Sequence, residues 1–183
     1  MNEAEHHALR ADRFGAVVAA VPDWDAPTPV SAWKAGDVVE HLLSWPVGVL
    51  RDWAGIELTD DPSASLADRW SARSRELQSA LDDPCVAGHV VAEGPFAGST
   101  AAQLVDRIYT ADVFMHTWDL ARSAGVAYAE DPAYATQLLN GMRQMEDVLR
   151  SSGHYGPAHA TTSDDPTNQL MAFIGRDPDW APR

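Results

Sequence analysis

A proline-free run over residues 100–124 constrains the fold of this chain more than any other stretch. Its apolar side chains recur every three to five residues, the spacing of a helix with one buried face: Leu104, Ile108, Ala111, Met115 and Leu120. Asp112 and His116 are one turn apart on the same face of that helix. Ionisable groups within an apolar stripe are costly unless something pairs with them. The run therefore predicts a helix that turns a carboxylate and an imidazole towards a partner, of which a bound cation is one example.

The rest of the chain has similar helical periodicity, and no segment shows the alternation of a convincing strand beyond a short extended piece at residues 89–92. Thr100 and Gln103 form a capping box, Gly125 is placed to end the same helix, and Asp131 before Pro132 is a helix start. We predict an all-α bundle forming a single domain over residues 1–183. Its helices are expected at residues 4–21, 36–53, 65–82, 100–125, 131–152 and 167–174.

Charge and cysteine content restrict the partners and the location. The net charge of −14 argues against binding to nucleic acid or an anionic membrane, which need clustered Lys and Arg. Cys85 is the single cysteine, so no internal disulfide is expected, and no neighbouring base would activate its thiol. The start of the chain lacks a signal-peptide pattern, and no apolar run approaches the ~20 residues of a membrane span. We expect a cytoplasmic protein.

The second predicted helix carries a similar acidic and basic pair. His41 lies on its apolar stripe, and Asp37 precedes it by one turn, as Asp112 precedes His116. His41, Asp112 and His116 would offer two imidazoles and one carboxylate from two helices, which leaves coordination positions open for chemistry. With Zn²⁺ such a site ionises a bound water or thiol. With Fe²⁺ the same ligands are the facial triad of oxygenases.

Each of these polar residues also has a simpler interpretation. A histidine on an apolar stripe is usually a satisfied core residue, and Asp112 with His116 also suits a hydrogen-bonded pair. Asp37 is explained as an acidic group in a helix's first turn, where the helix dipole favours it. Asp119 would be either an acceptor for an imidazole N–H or a partner of Arg122.

The remaining histidines are assigned to the chain terminus and to loops. His6 and His7 are expected to be solvated near a frayed end, and His89, His154 and His159 are expected in loops. No catalytic side chain is identified.

Three segments carry a resemblance to a known family: Trp33-x-x-x-Asp37-Val38-Val39-x-His41-Leu42, Asp112-x-x-x-His116-x-Trp118-Asp119-Leu120-Ala121 and Gly175-Arg176-Asp177-Pro178. They resemble an actinobacterial branch of DinB-like proteins that includes the mycothiol-dependent maleylpyruvate isomerases. The resemblance implies a DinB/YfiT-like four-helix bundle with up-down-down-up connectivity, here with an additional C-terminal helix and tail. It also implies a metal, commonly zinc and sometimes nickel, at His41, Asp112 and His116. In the characterised members the metal presents the sulfur of a small thiol, mycothiol, to an electrophile.

Three departures limit what is carried over from the isomerases. They usually have Glu where Asp112 stands, and Asp is one methylene shorter. Lys34 stands where Ser or Thr would cap the second helix, which weakens that cap by about 1 kcal/mol. The chain, at 183 residues, is expected to lack the isomerases' C-terminal domain and more closely resembles the short metal-binding members.

These observations lead to one main functional hypothesis and two alternatives. The main hypothesis is a divalent-metal protein, with Zn²⁺ expected and Ni²⁺ or Fe²⁺ as alternatives, acting as a thiol-dependent transferase or isomerase. Its partners would be a small thiol and an electrophilic substrate, and exposed Trp or Met surface would support a homodimer. The alternatives are a binding or sensor module without turnover and an Fe²⁺ oxygenase.

Overall fold

The computed structural model describes residues 1–151, 153 and 155–182, and its regular structure is helical, with no strand among those residues. The helices are α1 (Glu3–Val18), α2 (Ala35–Val49), α3 (Leu66–Asp82), α4 (Pro84–Ala87), α5 (Ala101–Leu104), α6 (Ala111–Ala124), α7 (Pro132–Gln144), α8 (Glu146–Ser151) and α9 (Pro166–Phe173). Among the described residues, β-type pairing is limited to two isolated bridges, Pro27 with Lys34 and Val90 with Thr100. The all-α class predicted from the sequence is confirmed.

Local capping explains where the predicted helices begin and end. Ser65 accepts a hydrogen bond from the Asp68 N–H at the start of α3, and Thr100 forms the predicted capping box with Gln103. Gly125 ends α6 in the left-handed region, at φ 66°. The predicted fifth helix is two, because the backbone leaves helical geometry at residue 145 and separates α7 from α8. The first helix ends at Val18, three residues before the predicted end.

Each of the two helices that carry the candidate ligands is joined directly to a π-helical segment. α2 continues as a π-helix over Leu50–Ala54, and a second π-helix over Val105–Thr110 joins α5 to α6. α2 also contains Pro46, which has no N–H to donate to the carbonyl of Leu42 one turn earlier. The buried Tyr109 hydroxyl, from the second π-helix, donates to that carbonyl at 3.3 Å. The interruption in α2 is therefore satisfied across the bundle.

The core has two parts that meet at α6. In the main bundle, α1 and α2 each pack against α3 and α6, and the enclosed side chains form the larger hydrophobic cluster. A smaller cluster lies between α6, α7 and α9 and includes Phe114, Met115 and Trp118. Because α6 is covered from both sides, every residue from 113 to 121 is buried. Among the described residues, no helix combines the length and the apolar character of a membrane span.

Candidate metal centre

The three predicted ligands lie together between α2 and α6. His41 Nε2 is 3.1 Å from Asp112 Oδ2, and His116 Nε2 is 3.5 Å from Asp112 Oδ1. Asp112 thus reaches both imidazoles despite its short side chain. The His41 side chain is 30% exposed, whereas that of His116 is 5% exposed. The cluster is consequently open to solvent on the side of α2.

The spacing of these atoms suits a metal ion. One ligand atom from each of His41, Asp112 and His116 lies within 4.8 Å of the others. Ligands ~2.1 Å from a tetrahedral ion stand ~3.4 Å apart, close to the two distances seen here. Two imidazole nitrogens and a carboxylate oxygen are donors that Zn²⁺ accepts, and three protein ligands leave a coordination position open. That these residues bind a metal stays a prediction.

The charges in the cluster are strongly coupled. Burial disfavours the charged form of Asp112, but the neighbouring His116 and His41 outweigh burial and hold its pKa below the ordinary value. Burial also disfavours charge on His116, yet Asp112 and Asp119 outweigh it and raise the His116 pKa. A divalent cation would therefore compete with a proton for the same imidazole.

A second layer of polar groups supports His116. The Asp119 side chain is fully buried and accepts a hydrogen bond from His116 Nδ1 at 2.9 Å. Of the two interpretations of Asp119, the structure therefore supports the imidazole acceptor. Its cationic partner is Arg176, whereas Arg122 lies over the Trp118 ring, 5.0 Å from the centroid. With Nδ1 as the donor, His116 turns Nε2 towards Asp112.

Aromatic side chains that the sequence did not mark as functional line the cluster. Trp45 Nε1 donates to Asp112 Oδ2 at 2.9 Å. Trp33 stacks on His116, with centroids 5.7 Å apart, and lies 5.0 Å from the His41 ring. The signal for Trp45 was its position one turn after His41 on α2, whereas Trp33 precedes that helix and was named only as the first residue of a family motif.

Tyr155, in the loop after α8, packs against the smaller hydrophobic cluster and is near enough to Asp112 to interact with its charge. Burial raises its pKa to about 12, and the charge of Asp112 adds to the rise. Its phenol is therefore neutral at physiological pH. No periodic pattern surrounds this residue, so the sequence held no signal for it.

Asp37 lies outside the cluster. Its carboxylate accepts a hydrogen bond from the Lys34 N–H at 2.8 Å, at the exposed start of α2. This contact caps the helix from its third residue and supports the simpler interpretation of Asp37.

The prediction for His6 and His7 is wrong, because both are buried. α1 begins at Glu3, so they lie inside a formed helix and not at a frayed end. His6 bonds to Asp106, and His7 Nδ1 is 2.8 Å from Gln78 Oε1. Both histidines therefore tie α1 to the rest of the bundle.

His89 and His159 are exposed in loops, as predicted, and His154 lies outside the described residues.

The fold and the cluster together define a class: an all-helical bundle in which two histidines and an aspartate from two helices lie close enough together that they could hold a metal ion. A family model described as the mycothiol maleylpyruvate isomerase N-terminal domain matches residues 7–121. The chain belongs to this family. The matched region contains the three candidate ligands and Asp119, but not Arg176.

Comparison with curated proteins gives relatives of similar length. Two uncharacterised proteins of Mycobacterium tuberculosis, MT0763 and Rv0738, are each 27% identical to the chain over 188 aligned positions. The alignments cover 93% of this chain and 95% of each relative. No solved structure shows a significant match.

Proposed function

We propose that the protein binds one divalent metal ion, Zn²⁺ in the first instance, through His41, Asp112 and His116, and uses it to activate a small thiol. The reaction class would be thiol-dependent transfer to, or isomerisation of, an electrophilic small molecule. The observation that carries this proposal is the two-imidazole, one-carboxylate cluster in a chain of the mycothiol maleylpyruvate isomerase N-terminal domain family. Mycothiol is accordingly the first thiol to test.

The residues around the cluster have distinct roles in this proposal. A bound metal would lower the pKa of a coordinated thiol or water, so that it is a nucleophile near neutral pH. Trp45 fixes one oxygen of Asp112 through its N–H, and Asp119 holds His116 through Nδ1. Trp33 covers His116, whereas His41 is the most exposed of the three ligands. Thiol and substrate would therefore approach past His41.

Metal content is the first test. Protein purified without a tag should carry about one metal ion per chain by elemental analysis, because a single cluster of this kind is present among the described residues. His41→Ala should lose the metal. His89→Ala is the matched control, because that imidazole is exposed in a loop. Sub-stoichiometric metal that His41→Ala leaves unchanged would refute metal binding at this cluster.

Thiol activation is the second test. Zinc-loaded and metal-stripped protein would be compared for the rate at which mycothiol reacts with a panel of electrophiles, maleylpyruvate among them. A rate that requires both metal and His41 supports the proposal. Stoichiometric metal without any metal-dependent rate would contradict the enzymatic part and favour a binding or sensor module.

The oxygenase alternative has a specific observation behind it, since the donor set is that of the Fe²⁺ facial triad. Anaerobic loading with Fe²⁺ and subsequent exposure to oxygen would distinguish it. Oxygen consumption above that of the His41→Ala variant would favour the oxygenase over thiol chemistry. The predicted cytoplasmic location, single domain and homodimer stay predictions.

A further inference from the structure

The C-terminal segment returns to the candidate metal centre through one side chain. Arg176 follows α9, and its guanidinium donates to both oxygens of Asp119, from Nε at 3.3 Å and from Nη2 at 3.1 Å. The Arg176 side chain is 13% exposed, and that of Asp119 is fully buried. This is a bidentate Arg–carboxylate pair shielded from solvent, the strongest geometry for such a contact.

Arg176 is itself anchored independently of Asp119. Its backbone N–H donates to the Met171 carbonyl at 2.9 Å, and Nη1 donates to the Ile174 carbonyl at 3.3 Å. The guanidinium is thus held on the end of α9 and aimed at α6. It holds Asp119 in one orientation, because the two carboxylate oxygens accept hydrogen bonds from two nitrogens of the same planar guanidinium.

Asp119 in turn fixes the orientation of His116, one of the two candidate ligands on α6. It accepts the Nδ1 hydrogen of His116 at 2.9 Å, which leaves Nε2 of that ring facing Asp112. A metal-binding histidine needs its second nitrogen fixed in this way, because the acceptor sets both the tautomer and the ring plane.

We propose that Arg176 is a positioning residue of the metal centre, acting through Asp119 to present His116 Nε2 to the metal. This inference rests on the proposed function. The inference assigns a role in the site to the segment after α9, which lies beyond the family match at residues 7–121.

A second Arg–Asp pair, partly buried, joins two helices without a contact to the candidate ligands. Arg10 Nη2 donates to Asp131 at 2.7 Å and joins α1 to the start of α7. The Arg10 side chain is 2% exposed and so is buried even more deeply than that of Arg176. Its neighbours are His6 and the rings of Phe114 and Tyr134. Arg10→Gln is therefore a matched control that removes a buried guanidinium away from the ligands.

The test measures metal affinity and ligand geometry rather than turnover. Wild type, Arg176→Gln, Arg176→Lys and Arg10→Gln would be titrated with Zn²⁺ against a chromogenic chelator, and Co²⁺-loaded samples would be compared by visible absorption. Arg176→Gln should bind about tenfold more weakly, the lower end of the effect of removing a direct partner of a metal ligand, because Arg176 acts through Asp119. Its Co²⁺ spectrum should also change. Arg176→Lys should recover part of the affinity. Arg10→Gln should stay within about twofold of wild type, since Arg10 bonds to His6 and Asp131 and shares no hydrogen-bond partner with the candidate ligands.

A folding defect would not hide the result. If Arg176→Gln fails to fold because Asp119 is left buried and unpaired, the double variant Asp119→Asn/Arg176→Gln removes both charges and should show the same loss of affinity. Wild-type affinity and an unchanged Co²⁺ spectrum in the folded variant would overturn the inference while leaving metal binding intact. Failure of the wild-type protein to bind metal would refute the proposed function and this inference together.

Discussion

Replacement of His41 by Ala should separate metal-linked stability from the stability of the fold itself. A ligand that binds only the folded state at 100 times its Kd stabilises that state by about 2.7 kcal/mol. For a chain of 183 residues, each kcal/mol raises Tm by about 2–4 °C. Saturating Zn²⁺ should therefore raise the Tm of the wild-type protein by about 5–11 °C.

The variant should lose this increase at little cost to the metal-free protein. The His41 side chain is 30% exposed and its hydrogen-bond partner is Asp112, which keeps its contacts with Trp45 and His116. We expect the metal-free Tm of His41→Ala to lie within about 4 °C of wild type, equivalent to about 1 kcal/mol.

Thermal unfolding followed by circular dichroism provides the assay, with EDTA-stripped protein and Zn²⁺ held at defined free concentrations. His89→Ala should keep the full increase in Tm. The reasoning is refuted if Zn²⁺ does not raise the wild-type Tm, or raises that of His41→Ala by the same amount.

Three further outcomes are expected. Trp45→Phe removes the N–H that holds Asp112 at 2.9 Å and should weaken Zn²⁺ binding by about tenfold in chelator competition. Gly55→Ala should lower the free energy of unfolding in urea by about 1–2 kcal/mol, because this glycine has a positive φ that alanine adopts at a cost. Gly175→Ala should lower it by about 1–3 kcal/mol more. Gly175 also has a positive φ, and in addition its new Cβ would lie 3.0 Å from a backbone oxygen, whereas a Cβ at Gly55 would have no atom within 4 Å. Burial lowers the pKa of His7 below its ordinary 6.5, so its contribution to stability is present above that pH and is lost as the pH falls through the lowered value. The stability advantage of metal-free wild type over His7→Gln, measured by urea unfolding, should therefore shrink between pH 7.5 and more acidic buffers.

Each of these predictions has a result that contradicts it. Undiminished affinity in Trp45→Phe would mean that the indole N–H does not support the ligand. Equal losses at Gly175 and Gly55 would show that the neighbouring loop yields to a methyl group. A pH-independent difference for His7→Gln would place the effect of that residue in packing and not in protonation.

Much of the helical framework was predictable because its determinants are local. The capping box of Thr100 and Gln103 and the helix-ending Gly125 each act over a few residues of backbone. The structure has the predicted helical stretch between these two signals. The π-helical segments were not predicted. The one over Val105–Thr110 lies in a tightly packed stretch whose Tyr109 contacts a neighbouring helix, which periodicity alone does not report.

The histidines show where local sequence patterns predict a contact and where they do not. Asp112 and His116 could be paired from a spacing of one turn, and the similar pair of Asp37 and His41 pointed to the second helix. His6 was assigned to solvent from its nearness to the terminus, but its environment is set by Asp106, 100 positions away. Nearness to a chain end says little about burial once a helix is formed and packed.

The sequence by itself determined which residues form helices, where those helices are capped, and that two of them carry a carboxylate or an imidazole on an apolar face. Tertiary structure alone decided that His41 and Asp112, 71 positions apart, come within hydrogen-bond distance, and that Arg176 reaches Asp119 across 57 positions. The physical reason is the distance along the chain over which each interaction acts. Helix periodicity and capping act over one or two turns, whereas the burial that makes an unpaired charge costly, and so selects its partner, exists only after distant helices have packed.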